Sequence, residues 1–572
     1  MKMLGPYIRK QWHNELIALI ATAVMAAATL WQPRLLQHMM TAIINNQQGR
    51  VLNLGIQLVA FAVLGIIAGV LNTVFAARAA IGIATELRAD MYKQVQSFAF
   101  TDIEQFAASK LVVRMTNDIN QVQGLVMAIL QMVVRVPIMF IGALALALLT
   151  IPQLWWTLLF MVAFTVILAV VGMRQMTHYF GEVQGYIDDV NNIARENLMG
   201  VRVVKSFVQK DNEERKFASA SDKMADVTVK IGYTFSYMMP GFFLIAYFAI
   251  GLGVLVIGRN IGAHPAYLAA IASFVGYLMQ VLMAIINASF ISTGATRAFV
   301  SLHRIDEVLA HQPSMHYPDG PAQRLPGSIE FDDVSFTYPN DEQPTLRHIN
   351  FRVEPGQMLG IVGATGSGKT TLAQLIPRLF DATEGHILLG NQDVRTLSAA
   401  TLRDTVSMVM QRATLFSGTI AANLRQGKPK ATLNEMQWAA GVAQASEFIN
   451  HLSDGFDAEV AERSANFSGG QKQRLAITRG VISEPPVLIM DDSTSALDAR
   501  SERLVQEAFN RDLQATTTVV VAEKIASIIN ADHILVLDHG QVVGYGTHAE
   551  LLQSSAVYRE IYMTQKAKEA NI

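Results

Sequence analysis

The chain has 572 residues, 51% hydrophobic and only 16% charged, with a formal net charge of -2 and no cysteine. That length exceeds one hydrophobic core, and the charged share is well below the usual figure of roughly 25%. The balanced charge offers no basic field to a nucleic-acid partner, and the lack of cysteine excludes disulfides and thiolate metal sites. A cysteine-free chain suits a bacterial cytoplasmic and inner-membrane setting.

The first fifteen residues, MKMLGPYIRKQWHNE, are polar and amphipathic. They show no small-residue cleavage site, so a removable signal peptide is not expected. Six apolar stretches follow, at about 16–36, 54–77, 124–150, 154–171, 237–257 and 267–290. Each is long enough for a helix to cross the hydrocarbon core, which takes about 20 residues. Lysine and arginine gather at the N-terminus and in the long connections after the second and fourth stretches, whereas the other three connections hold only Arg50 and Arg259. Cationic segments stay cytoplasmic, so both termini are expected there.

The two long connections are rich in helix formers and poor in Pro and Gly, as in 182–230. A structureless loop of that length would be unusual. The membrane helices are therefore expected to run on into the cytoplasm and turn near 98–106 (FAFTDIEQF) and 206–213 (SFVQKDNE). An aromatic beside acids at each turn either docks into a partner groove or caps a solvated helix end. Asn72, Gln280 and Asn287 lie within the spans. Such residues face a bundle interior, either lining a substrate path or bonding helix to helix. Met279 and Met283 flank Gln280; thioethers suit both adaptable binding and plain packing.

The membrane domain is expected over 1–310, a Pro-rich linker over 311–326, an α/β nucleotide-binding domain over 327–563 and a tail over 564–572. Short strand patterns lead into MLGIVG and then GATGSGKTT, a phosphate loop between a strand and a helix. Gly363, Gly366, Ser367 and Gly368 let backbone N–H groups turn inward around phosphates. Lys369 offers a point charge, and the Thr370 hydroxyl, followed by Thr371, can ligate Mg²⁺. The apolar strand VLIMDD ends in Asp491, placed to organise Mg²⁺. Between them, NFSGGQKQRLAITRG puts Ser468, Gly469, Gly470 and Gln471 at a helix start, a second anion cradle. One chain has no local use for two, so this one is expected to serve a nucleotide bound to another chain.

The phosphate loop, SGGQ, VLIMDDSTSALD and six upstream spans resemble the ABC transporter family over essentially the whole chain. SKLVVRMTNDI and ENLMGVRVVKSF are similar to its exporter branch. The resemblance implies a multi-domain fold, an all-α six-helix transmembrane domain plus an α/β P-loop nucleotide-binding domain, working as a half-transporter with ATP and Mg²⁺. It implies that Tyr338 stacks on adenine, that Gln411 joins Thr370 and Asp491 around the metal and links nucleotide to membrane domain, and that Asp498 lies in a loop crossing a dimer interface. The two cytoplasmic turns would be coupling helices.

Two positions depart from the family pattern. Asp492 stands where a glutamate is the usual catalytic base, and Glu523 where a histidine usually meets the γ-phosphate. The shorter side chain withdraws its carboxylate by roughly 1.5 Å, about one bond length. A carboxylate also cannot donate the hydrogen bond that an imidazole can. With phosphate loop and signature intact, the site is expected to bind ATP and hydrolyse it slowly. The chain resembles the degenerate-site subunit of heterodimeric bacterial multidrug exporters, which implies a non-identical half-transporter as partner, a plasma-membrane location and amphipathic small-molecule substrates. Export of a specific lipid or peptide, a regulatory ATP-sensing subunit and a homodimeric slow ATPase are the alternatives.

Overall fold

The computed structural model describes residues 2–260, 267–339, 341–495 and 497–569; the last three residues of the expected tail lie outside them. The chain divides into two compact units: 1–96 with 108–311, and 97–107 with 312–572.

The first unit is helical. Among the described residues, six helices are long and apolar enough to cross a membrane: Trp12–Ile44, Gln48–Gln96, Ala108–Thr150, Pro152–Met199, Lys210–Arg259 and Tyr267–Ser289. At 1.5 Å per residue, the 49-residue Gln48–Gln96 helix reaches about 74 Å, more than twice the roughly 30 Å hydrocarbon core. The polar sequence after the second and fourth spans is thus mostly helix, as its composition predicts, the long helices ending at Gln96 and Met199 and new ones beginning at Ala108 and Lys210 after the turns.

The third span is not uniform. Wide π-helical turns occupy Arg114–Asp118 and Ile129–Val133 before the α-helix Arg135–Thr150. Pro137 has no N–H for the carbonyl four residues earlier, a local cause for the second irregularity.

Polar side chains tie the first helix to its neighbours. Asn72 is buried and its Nδ2 donates to Thr22 Oγ1 at 2.7 Å, Ala18 O at 3.0 Å and Leu130 O at 3.3 Å. Asn72 therefore bonds helix to helix, and it also lines a cavity of about 520 Å³ with Gln131 and Arg135. Ser273 Oγ donates to Gln37 Oε1, Tyr277 Oη to Leu30 O and Gln280 Nε2 to Thr29 O, joining first and sixth helices.

The second unit is α/β. A four-stranded sheet runs in the order β2 (Leu346–Val353), β1 (Ile329–Phe336), β4 (Glu384–Leu389), β5 (Gln392–Asp393). A six-stranded sheet runs β12 (Gln541–Gly546), β11 (His533–Asp538), β3 (Met358–Gly363), β10 (Thr517–Val521), β9 (Val487–Asp491), β6 (Val406–Val409). All its pairings are parallel except β11 with β12. A two-residue pair, β7 (Gly418–Thr419) with β8 (Glu459–Val460), completes the set. β9 and β10 are buried at every residue, as parallel strands covered on both faces must be. Alternation sends Leu488, Met490 and Val520 into one core and Val487, Ile489, Val519 and Val521 into the other.

The 311–326 segment lies along this unit from residue 312 onward. Arg378 holds it: Nη2 donates to His316 O at 3.2 Å, and its own carbonyl accepts from Tyr317 Oη at 3.1 Å.

Candidate active site

In parallel α/β sheets ligands bind beyond the carboxyl ends of the strands. Here β3 ends in the phosphate loop, β9 in Asp491, and β10 runs on to Glu523. A cavity of about 290 Å³ opens there, lined by Gly366, Gly368, Lys369, Thr370, Thr371, Gln411, Asp491, Asp492 and Glu523 together with Thr345, Thr365 and Val521. Gly363, Ser367 and Tyr338 stand outside its lining, and so does the whole 468–471 signature.

The loop needs glycine where it turns. Gly366 has φ +83° and Gly368 φ +99°, the left-handed region that other residues rarely occupy. Gly368 is also the N-cap of the helix Lys369–Leu375. Lys369 Nζ donates to Gly363 O and Ala364 O, each at 2.9 Å, so the ammonium is folded over its own loop. Burial pushes its pKa down, while the carboxylates of Glu523, Asp491 and Asp492 push it back up.

Thr370 Oγ1 donates to Asp491 Oδ1 at 3.0 Å. Burial raises the Asp491 pKa, the Thr370 hydrogen bond opposes that, and the Asp492 charge adds to it. A buried carboxylate beside another carboxylate favours a nearby cation. Among the described residues no cluster of three His, Cys, Asp or Glu could hold a metal alone. The hydroxyl of Thr370 beside the Asp491 carboxylate is an oxygen donor set that fits Mg²⁺, which takes one or two carboxylates and completes its shell with phosphate and water.

Asp492 is held on three sides. Its N–H donates to Val521 O at 2.9 Å, its carbonyl accepts from Ser495 Oγ at 2.9 Å, and its Oδ2 accepts from Gln411 Nε2 at 3.0 Å. Its φ of +46° lies in the left-handed region, where Asp is among the tolerated residues. Glu523 is exposed and lines the cavity. The C-terminal helix Ala556–Glu569 fixes its backbone: Gln565 Nε2 donates to Glu523 O and Gln565 Oε1 accepts from Ile525 N, both at 2.8 Å. Sequence reading missed Gln565, a lone polar residue without a motif.

The Tyr338 ring packs edge-on against Phe336 and Phe380, centroids 4.8 and 5.4 Å away, and its hydroxyl lies 3.0 Å from Thr371 Oγ1. The 98–106 turn meets the same cluster. It forms a short helix, Phe100–Phe106, and Phe100 lies edge-on to Phe380 at 5.6 Å. Buried Asp102 accepts from the backbone N–H of Ala99 and Ser314. This turn docks on the chain's own nucleotide unit. At the other turn Phe207 and Val208 are exposed.

The signature begins the helix Gly469–Val481. Ser468 and Gln471 form a capping box: Ser468 N donates to Gln471 Oε1 at 2.9 Å, and Gln471 N to Ser468 Oγ at 3.3 Å. Gly470 is the next residue of that first turn. A Cβ on Gly469 would meet nothing within 4 Å, so the face is open. Asp498 caps the helix Ala499–Asp512, accepting from Arg500 N and Ser501 N.

In the membrane unit, Gln280 and exposed Asn287 line a cavity of about 460 Å³ with Met279 and Met283. Arg135 lines it too. It is not among the polar residues singled out from the sequence, although an arginine inside an apolar run was signal enough. A second cavity, about 280 Å³, is lined by Met173, Met176, Met238, Met239 and Phe242, with Arg297 at it.

Comparison with known proteins agrees with this layout. Residues 346–495 match the ABC transporter family model, and 16–285 match that of the ABC transporter transmembrane region. The chain is 34% identical to the ABC transporter ATP-binding protein YfiB of Bacillus subtilis, over 97% of each chain. This chain belongs to the ABC transporter family. It is also 30% identical to an ATP-dependent lipid A-core flippase of Chromohalobacter salexigens, over 99% of this chain and 97% of that one. Its fold is that of a bacterial Atm1-family ABC exporter solved with ATP bound, with TM-score 0.79 at 23% identity over 98% of this chain and 99% of that one. One membrane region and one ATP-binding domain make a half-transporter, a multi-pass membrane protein in which ATP hydrolysis is coupled to transport.

Proposed function

We propose that this ABC half-transporter works in a heterodimer, that its own nucleotide site is degenerate, and that the complex exports amphipathic compounds across a bacterial plasma membrane. Both termini would be cytoplasmic, on the side of the cationic connections. The observation that carries the reading is the pairing of Asp492 and Glu523 at one cavity. Asp492 occupies the base position with a short side chain already engaged by Gln411. Glu523 brings a carboxylate to a wall that should donate to a phosphate.

Like charges near contact repel by several kcal/mol at an effective dielectric constant of about 20. The loop amides around Gly363–Gly368, with Lys369, bind the phosphates of ATP, and Tyr338 takes the adenine. Thr370, Gln411 and Asp491 would hold Mg²⁺, which supplies neutralising charge at the phosphates. Asp492 accepts a proton from water poorly because its carboxylate stands back from the position a glutamate would reach. The open Ser468–Gln471 face completes the partner's site, where hydrolysis is faster. The exposed Phe207–Val208 tip suits a groove on that partner.

The test is steady-state ATPase of the purified chain alone and with its partner. The chain alone should bind Mg-ATP yet turn over far more slowly than the pair; equal turnover would falsify the heterodimer reading. A second reading, export of a lipid, is favoured by the relatives named as lipid A-core flippases.

A further inference from the structure

Arg135 sits inside the apolar run of the third membrane span, near its middle. A cation there is costly unless it is paired or faces a polar cavity. Among the described residues, Arg135 has no ion pair with a carboxylate, and no acidic side chain lines its cavity of about 460 Å³. The rest of the wall is mostly of two kinds. Gln131, Gln280 and Asn287 bring amides, and Met279 and Met283 bring flexible thioethers.

Two local features hold this arrangement. The π-helical turn Ile129–Val133 places Gln131 at the same cavity as Arg135. Gln280 spends its amide N–H on Thr29 O at 3.1 Å, but its buried Oε1 has no partner. A buried acceptor without a donor is uncommon in native proteins and marks a place for a ligand group. So the wall offers a guanidinium fork for an anion, an acceptor for an N–H or O–H elsewhere on the same ligand, and a polarizable apolar surface. A guanidinium binds a carboxylate, sulfonate or phosphate in bidentate fashion.

We propose that this cavity takes the anionic head of an amphipathic substrate. Arg135 pairs with the head, and Met279 and Met283 cover the start of the apolar body. The inference rests on the reading of the chain as an exporter of amphipathic compounds and adds the sign of the substrate's charge. A neutral or cationic amphiphile would leave Arg135 without a counter-ion. The anionic head can belong to a dissolved compound or to a bilayer lipid.

The experiment uses the full-length transporter in phosphatidylcholine nanodiscs and three probes with one fluorescent apolar body. These are 11-(dansylamino)undecanoic acid, its primary amide and the matching quaternary ammonium compound. The acid should bind about tenfold more tightly than the amide, the scale of one charge-assisted pair, and the cation should bind most weakly. Arg135→Gln should erase the preference for the acid while leaving amide binding unchanged, and Arg135→Lys should keep most of it. Added phosphatidylglycerol that displaces the acid would assign the head to a lipid; no displacement would assign it to a solute; both keep the anion at Arg135.

Equal binding of acid and amide by the unsubstituted protein overturns the proposal and leaves the export of amphiphiles standing. Binding of none of the three overturns both. Preference for the acid that survives Arg135→Gln places the anion elsewhere. Equal weakening of acid and amide by that variant makes Arg135 a structural residue, paired with a carboxylate of the partner chain.

Discussion

Restoring the two altered side chains together, Asp492→Glu with Glu523→His, should switch on hydrolysis at this chain's own site. The backbone at residue 492 is pinned by Val521 O and Ser495 Oγ, so an added methylene extends toward the cavity rather than moving the chain. It advances the carboxylate by about 1.5 Å, and a misplacement of about 1 Å can cost about 100-fold. A well-placed general base is worth about 10²–10⁴-fold, and a donor aimed at developing charge about 10²–10³-fold. Because both groups act on one transition state their effects will not simply multiply, and a gain of about 10²–10⁴-fold is expected. Part of it comes from removing the Glu523 carboxylate that faces Lys369 across the cavity. The assay is steady-state ATPase of the proposed heterodimer with hydrolysis at the partner's site disabled by substitution of the carboxylate at its base position. Background activity in the double variant, with ATP still bound, would refute the assignment of the defect to these two positions.

Gly469→Asp should collapse ATPase and dye efflux by the heterodimer, because a side chain there enters open space where a partner's phosphate is expected and adds like charge. Asp492→Asn in the same chain should leave most of the activity; equal effects of the two would sink the division of labour between signature and phosphate loop. Asn72→Ala removes an amide whose two N–H donors are shared among three acceptors on neighbouring membrane helices and should cost about 1–2 kcal/mol. Thermal unfolding in detergent should show the loss with ATP affinity unchanged, and an unshifted transition would contradict the structural role given to that amide.

Much of this was legible because it is local. A run of apolar residues has the length of a bilayer whatever surrounds it, and the phosphate loop carries its glycines and lysine within nine residues of sequence. Asp491 and Thr370 could be brought to one metal because each ends or follows an unmistakable strand. What was not legible depends on distant partners. Nothing near Asn72 foretells Ala18 and Leu130 as acceptors, which decides that this amide bonds helices. Nor does the sequence around Phe100 announce Phe380. Ser468 and Gln471 show a third limit: the pattern marks an anion cradle, but it is equally a capping box, in which each side-chain oxygen accepts from the other residue's backbone N–H. Arg135 is the one charge of the 124–150 run, but nothing around it foretells Met279 and Gln280, which share its cavity.

The strip 97–107 belongs by packing to the nucleotide unit, although it is threaded between two membrane helices. During synthesis it leaves the ribosome long before Ser314 and Phe380, the residues that receive it. The nucleotide unit therefore cannot finish its surface from its own contiguous sequence, and it must wait for a guest already anchored at both ends. A fragment starting at 312 would fold with the edge of Phe380 uncovered and the Ser314 N–H deprived of Asp102. For the same reason one protease nick at the 311–312 boundary would not release the nucleotide unit, because the threaded strip would still hold it. The chain is stitched rather than beaded, and its two units cannot be parted by a single cut.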